Sequence, residues 1–295
     1  MINLHHIDLH MHSTVSDGTE TPLELLELVR QHKLELFALT DHDSIKGSEM
    51  LLSEYEKEAV GGGKPQPLFL PGIELSCKDG GGKYHILGYA YDPHHESIRS
   101  IMDKGHDLRM RKLQGRLDFL RDTYGFSFSD EDIAALKTLD NPGKPHIGNL
   151  MVRYGYAPTR TDAIREYIDK AKLKFGHITP EEGITAILES GGVPVLAHPS
   201  YGAGDDIIVG EEMEARIRHL LDMGIQGLEA YYSGFTPKLE NEILGYADRY
   251  GLYVTAGSDY HGSNKLIKLG QTNLQDAEEP AEGLFRFLDR VLGGA

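Results

Sequence analysis

Three times in this chain a threonine–proline pair opens a segment of helical period: Thr21-Pro22, Thr179-Pro180 and Thr236-Pro237. The threonine hydroxyl suits a helix cap, and proline, with its fixed φ, suits the first helical position. Each segment leads into an apolar run of strand length. Such runs read His6–Leu9, Leu36–Thr40, Leu68–Leu75, Tyr84–Tyr91, Val193–Ala197, Gly227–Tyr231 and Tyr253–Ala256. The helical patterns between most of them are Pro22–His32, Ser48–Ala59, Pro180–Ser190, Glu211–Met223 and Pro237–Tyr250. Strand alternating with helix implies a mainly parallel α/β sheet, open or closed into a barrel.

The rhythm breaks once. Between Tyr91 and Val193 only helical patterns occur: Ile98–Thr123, long and basic on one face, then Glu131–Leu139, Ile147–Tyr154 and Thr161–Ala171. The expected organisation is therefore an α/β core over 1–96 and 176–295, with 97–175 inserted as a helical cap. Gly61-Gly62-Gly63 and Gly80-Gly81-Gly82 are expected loop tips.

Composition narrows the function classes. No stretch approaches the ~20 apolar residues that span a bilayer, and the N-terminus lacks a basic-then-apolar leader. Cys77 is the only cysteine, so neither an internal disulfide nor a thiolate zinc site is available. A cytoplasmic protein is expected. The net charge of −16 argues against non-specific binding of duplex DNA. An anionic substrate stays possible, because bound divalent cations reverse the local potential of an acidic site.

The chemistry gathers where the apolar runs end. The first run leads into His10 and His12, with Asp17 shortly after. The second ends in "TDHD", with Asp41, His42 and Asp43; the third delivers Glu74; the fifth ends in "AHP" with His198; the seventh ends in "SDYH" with Asp259 and His261. This is the strand edge on which α/β folds build active sites. His85 lies near the start of the fourth run, which suggests that this strand runs the other way. Each residue alone has a plainer reading: Asp17 before Gly18 suits a turn and Asp43 suits a helix cap. Independent caps and surface histidines, however, have no reason to collect on one rim. A His-x-His pair on extended chain projects both rings to one side. Imidazole with carboxylate suits zinc, manganese or iron. Nine ligands exceed one ion, and a carboxylate such as Glu74 can bridge two cations, as in two-metal phosphatases and nucleases.

Six motifs in order, "DLHMHSTVSDG", "ALTDHDS", "PGIELS", "YHILGY", "AHPS" and "GSDYHG", resemble the PHP (polymerase and histidinol phosphatase) family of metal-dependent phosphoesterases. They span almost the whole chain. The resemblance implies a distorted (β/α)7 barrel with two to three divalent metal ions at the C-terminal ends of the strands. It implies one metal on His10, His12, Glu74 and Asp259, a second on Glu74, His85 and His198, and a third on Asp17, His42 and His261. His10, His12, Glu74, His198 and Asp259 would carry the catalysis, by attack of a metal-activated hydroxide on phosphate. Asp41 is expected to orient a neighbouring histidine.

The helical insertion is similar to that of the subgroup acting on nucleoside 3′,5′-bisphosphates (pAp to AMP) or on short oligoribonucleotides from the 5′ end. By that resemblance Arg109, Lys144 and His146 would hold a second phosphate, with Arg111, Arg116 and Lys174 as weaker candidates. Tyr201, Tyr231 and Tyr232 are read either as stacking on a base or as packing; Cys77 is read as a small buried hydrophobe. Two rival readings stand beside the nucleotide phosphoesterase: a histidinol-phosphate-type metabolite phosphatase, and a non-catalytic metal-binding accessory module.

Overall fold

The computed structural model describes residues 3–60, 66–139, 142–201 and 207–293. Among these residues, seven strands form one sheet in chain order: β1 (Ile7–Asp8), β2 (Leu36–Leu39), β3 (Leu68–Asp79), β4 (Gly82–Tyr89), β5 (Val193–Leu196), β6 (Gly227–Tyr232) and β7 (Tyr253–Gly257). β1 to β3 are mutually parallel, as are β5 to β7, and β4 runs antiparallel to both its neighbours. The reversed fourth strand accounts for His85 standing at the start of its run rather than the end. The sheet nearly closes on itself, since Leu9 N donates to Ala256 O at 2.9 Å and Met11 bridges Tyr260. The alternation leaves the sheet open or closed; the fold is the nearly closed, distorted seven-stranded α/β barrel that the family resemblance implies.

Among the described residues, ten helices accompany the strands: α1 (Pro22–Gln31), α2 (Lys46–Val60), α3 (Glu96–Tyr124), α4 (Asp130–Lys137), α5 (Lys144–Arg153), α6 (Arg160–Glu166), α7 (Pro180–Glu189), α8 (Gly210–Asp222), α9 (Pro237–Arg249) and α10 (Glu282–Leu292). Thr21, Thr179 and Thr236 each accept the N–H of the third residue beyond, and Glu24 and Glu182 return the bond to the first two. Each such cap stabilises its helix by about 1 kcal/mol. β2, β5 and β6 are buried throughout, as strands covered on both faces must be.

Contacts divide the chain into two compact units, Met1–Met102 with Ile178–Ala295, and Asp103–His177. The first holds the barrel. The second holds most of α3 with α4, α5 and α6, and has its own core of Leu113, Leu117, Leu120, Leu136, Ile147 and Met151. Gly80 and Gly81 turn the chain between β3 and β4, while Gly61-Gly62-Gly63 lie outside the described residues. No helix among the described residues is long and apolar enough to cross a membrane.

Candidate metal centre

The loop after β1 brings in His10, His12 and Asp17, and the loop after β2 brings in His42, which bridges Glu74 of β3. β4 supplies His85, the chain just after β5 supplies His198, and the chain just after β7 supplies Asp259 and His261. These nine side chains interlock in groups of close donor atoms. Glu74 Oε2 lies 3.2 Å from His10 Nε2, 3.2 Å from His12 Nε2 and 3.1 Å from His42 Nδ1. Asp259 Oδ1 lies 3.4 and 3.3 Å from the same His10 and His12 nitrogens. The other oxygen, Glu74 Oε1, lies 2.9 Å from His85 Nδ1 and 3.2 Å from His198 Nε2, and these two nitrogens are 3.3 Å apart. A third group forms where Asp17 Oδ1 comes 3.2 Å from His261 Nε2, with Asp17 Oδ2 4.0 Å from His42 Nε2. His12 reaches this group too, its Nδ1 standing 3.8 Å from Asp17.

These separations test whether metal fits. Ligand bonds of ~2.0–2.1 Å around a tetrahedral ion put neighbouring donors ~3.4 Å apart. The first two groups have that spacing. His10 Nε2, His12 Nε2 and Glu74 Oε2 are fully buried and make no hydrogen bond, although they face one another at 3.2 Å. Buried polar atoms ordinarily have partners, so three converging lone-pair donors fit a shared cation. The donor set of imidazole and carboxylate, without thiolate, suits a hydrolytic ion rather than a structural one.

The electrostatics follow from that crowding. Burial pushes the His10 imidazole down, but the Glu229, Glu74 and Asp259 carboxylates reverse this and hold it well above its usual value. His12 is raised in the same way, against burial, to about 9 by Asp259 and Glu74. His42 is lowered to about 3, mainly by burial and despite Glu74. Burial opposes ionisation of Glu74 and Asp259, yet the surrounding imidazoles hold both carboxyls well below the usual range. Without metal, the protein therefore stores protons on some ligands that a cation must displace.

One carboxylate that sequence reasoning missed ties the groups together. Glu229 lies within β6, fully buried; its Oε1 is 2.9 Å from His10 Nδ1 and its Oε2 accepts the His198 backbone N–H at 2.8 Å. An acceptor on Nδ1 fixes the tautomer that leaves the His10 Nε2 lone pair facing Glu74 and Asp259. Gly257 makes room, since a Cβ there would stand 2.3 Å from both Glu229 Oε1 and His10 Cβ. The signal was present in the sequence as a lone glutamate inside the apolar run Gly227–Tyr231, which must find a partner when buried. Asp8 is comparable: its oxygens accept from Ser258 and from Gly270 N, joining β1 to the chain after β7.

Asp41 is tied to a neighbouring histidine through a serine. Its carboxylate accepts from Ser13 N, Ser13 Oγ and Ser16 Oγ. It shapes the loop between His12 and Asp17, and Ser16 Oγ stands 3.4 Å from His12 Nδ1. The three tyrosines also separate. Tyr231 and Tyr232 are buried, the first accepting from Ala281 N and the second donating to Asp259 Oδ2, so neither offers a face to a base. Tyr201 is half-buried and packs beside Tyr232 and Phe235. Cys77 is a buried thiol whose pKa burial raises, as a small hydrophobe requires.

Arg109, Lys144 and His146 belong to the helical unit. Arg109 is half-buried on α3; Lys144 opens α5 with its Nζ 2.5 Å from Asp169; His146 Nδ1 accepts Gly143 N at 3.1 Å. Lys144 and Asp169 are both partly exposed, so an anionic ligand can compete for that ammonium at little cost.

Comparison with known proteins points one way. The PHP domain matches residues 8–177. A 3′,5′-nucleoside bisphosphate phosphatase of Chromobacterium violaceum is 30% identical over 267 residues, 86% of this chain and 87% of its own. A 5′-3′ exoribonuclease of Salmonella typhimurium is 26% identical over 90% of this chain and 88% of its own. Among solved structures, a chain from Bifidobacterium adolescentis assigned to the metal-dependent phosphoesterases superposes with a TM-score of 0.75 at 29% identity, covering 98% of each chain.

Proposed function

The chain belongs to the PHP family of metal-dependent phosphoesterases, and from that premise we propose that it hydrolyses nucleotide phosphate esters. The preferred substrate is a nucleoside 3′,5′-bisphosphate losing its 3′-phosphate, or a short oligoribonucleotide degraded from its 5′ end. The observation that carries the reading is Glu74, whose two oxygens each face a separate set of imidazoles. That is the arrangement of a carboxylate bridging two cations.

In this reading His10, His12, Glu74 and Asp259 hold one ion, Glu74, His85 and His198 a second, and Asp17, His42 and His261 a third. Manganese, iron and zinc all suit the donors. Bound there, such ions would acidify a water to supply the nucleophile and would polarise the phosphoryl oxygens. The protein's own groups do the rest. Glu229 fixes the His10 ring and the His198 backbone, so two ligands keep their aim without reorganisation. Arg109, Lys144 and His146 bind the phosphate that is not cleaved. The names of the bisphosphate phosphatase and the exoribonuclease support a nucleotide substrate.

The test is phosphate release by manganese-loaded protein from pAp, a 5′-phosphorylated short RNA, histidinol phosphate and a plain aryl phosphate. Turnover of pAp or RNA well above histidinol phosphate is expected; the reverse ranking favours the metabolite phosphatase. Arg109→Ala should cost ~10-fold or more on pAp, the worth of a charge-assisted phosphate contact, and far less on the aryl phosphate. Equal losses on both would remove Arg109 from the second phosphate.

A further inference from the structure

The two central carboxylates are held in different ways. Glu74 turns both oxygens toward imidazoles. Asp259 turns only Oδ1 that way, with His10 Nε2, His12 Nε2 and His261 Nδ1 at 3.4, 3.3 and 3.4 Å. Its Oδ2 accepts the Tyr232 hydroxyl at 2.9 Å and the Lys265 ammonium at 2.6 Å. The Tyr232 ring is anchored beside His198, Tyr201 and Phe235. Lys265 follows the short 3₁₀ turn Gly262–Asn264 and keeps 39% of its side chain exposed. Asp259 itself sits at φ +58°, in the left-handed region. A non-glycine residue stays there only when its surroundings over-determine it.

We infer that Lys265 is a positioning residue of the metal centre. Together with Tyr232 it occupies Asp259 Oδ2 and reserves Oδ1 for the cation shared with His10 and His12. Tyr232 alone would fix the position of Oδ2 but would bring no positive charge to that side of the carboxylate, because the imidazoles all face Oδ1. The ammonium supplies both a second donor and that charge, and the charge-assisted bond is the stronger of the two. Pinned by both, the carboxylate offers one oxygen; released, it can rotate about χ2 and present two. Lys265 would thus set the coordination at one metal, while Glu74 remains free to bridge.

The inference rests on the metal reading above, and the experiment separates the two. Manganese and zinc affinities are measured by chelator competition, with stoichiometry from elemental analysis, for wild type, Lys265→Met, Lys265→Arg and Tyr232→Phe. Melting of the metal-free proteins shows that each variant folds. Lys265→Met should weaken one ion of the set ~10–100-fold, the usual effect of losing a partner behind a ligand. Its kcat on an aryl phosphate should fall by a similar factor with KM nearly unchanged, and Lys265→Arg should restore most of both. Tyr232→Phe should show a smaller loss at the same ion. Wild-type affinity in Lys265→Met overturns the inference, as does a raised KM at constant kcat, which would make Lys265 a substrate contact. Absence of metal binding by the wild type would instead bring down the metal reading itself.

Discussion

The two units of this chain carry opposite charge. Residues 103–177 hold 14 lysines and arginines against 11 acidic residues, whereas the remainder holds 16 against 35. Part of the barrel's acidity is buried on purpose: Asp8, Asp41, Glu74, Glu229 and Asp259 are all inside. Carboxylates survive burial only with cations, imidazoles or N–H donors around them. The helical unit has no comparable buried acid among the described residues; its ion pairs, such as Arg121 with Asp118 and Arg165 with Asp162, are exposed and contribute little. Its cohesion comes from leucine, isoleucine and methionine. One unit gathers buried acid around imidazoles, as uptake of cations requires, and the other is mildly cationic at its surface.

The hardest blow to the barrel's side of this contrast is Glu74→Gln. The amide keeps the size and removes the charge that three imidazoles face through Oε2 and two through Oε1. Loss of kcat should be ~10³-fold, beyond the 10–100-fold typical of groups that only orient a ligand. At least one bound ion should disappear from elemental analysis. A fully metallated, active variant would show that Glu74 does not bridge.

Leu120→Ala breaks the other side. Leu120 is fully buried in the helical unit's core, and such truncations cost ~2–5 kcal/mol. Hydrogen exchange should speed up over 103–177, while metal stoichiometry in the barrel stays at the wild-type value. If metals are lost as well, the two units do not divide the work in this way.

The same contrast governs what could be read from the sequence. The barrel announces itself because parallel strands are short and apolar and their ends are polar, so His10, His12, His42, His198, Asp259 and His261 mark strand ends as well as chemistry. The Thr-Pro caps fix helix starts to the residue. α10 escaped although Leu284, Phe287, Leu288 and Val291 keep the helical spacing, because Ala281 precedes it without a side-chain cap to mark its start. Glu229 escaped because it lies mid-strand, away from the edge where ligands gather, and its role depends on a neighbour 219 residues away. Which nitrogen of His12 faces which group is likewise a matter of packing, since the motif names the residue and not the ring orientation. In the helical unit, Lys144 and His146 have local partners in Asp169 and Gly143 that no motif reveals.

The smallest expected effect is a pH dependence confined to the barrel. In the metal-free protein His12 titrates at about 9 against 6.5 unfolded. Between those values the folded form holds a proton that the unfolded form has lost, so stability falls as pH rises through this window, with His10 acting in the same direction. Below 6.5 the sign reverses for His42, which stays neutral in the fold down to about 3 and so favours unfolding as the unfolded chain protonates. Glu74 and Asp259, depressed in the fold, add to that loss at lower pH still. Metal-free stability should therefore peak near pH 6.5. Each linked proton contributes ~1.4 kcal/mol per pH unit, which for a chain of this size moves Tm by roughly 2–4 °C per unit. Metal affinity should run the opposite way and rise with pH toward about 9, because the ion displaces the His12 proton. Melting curves with and without zinc across pH 6 to 9 measure both trends together. A metal-free Tm that stays flat over this range would mean that the imidazoles around Glu74 are already neutral, and that the barrel's carboxylates are balanced by something other than stored protons.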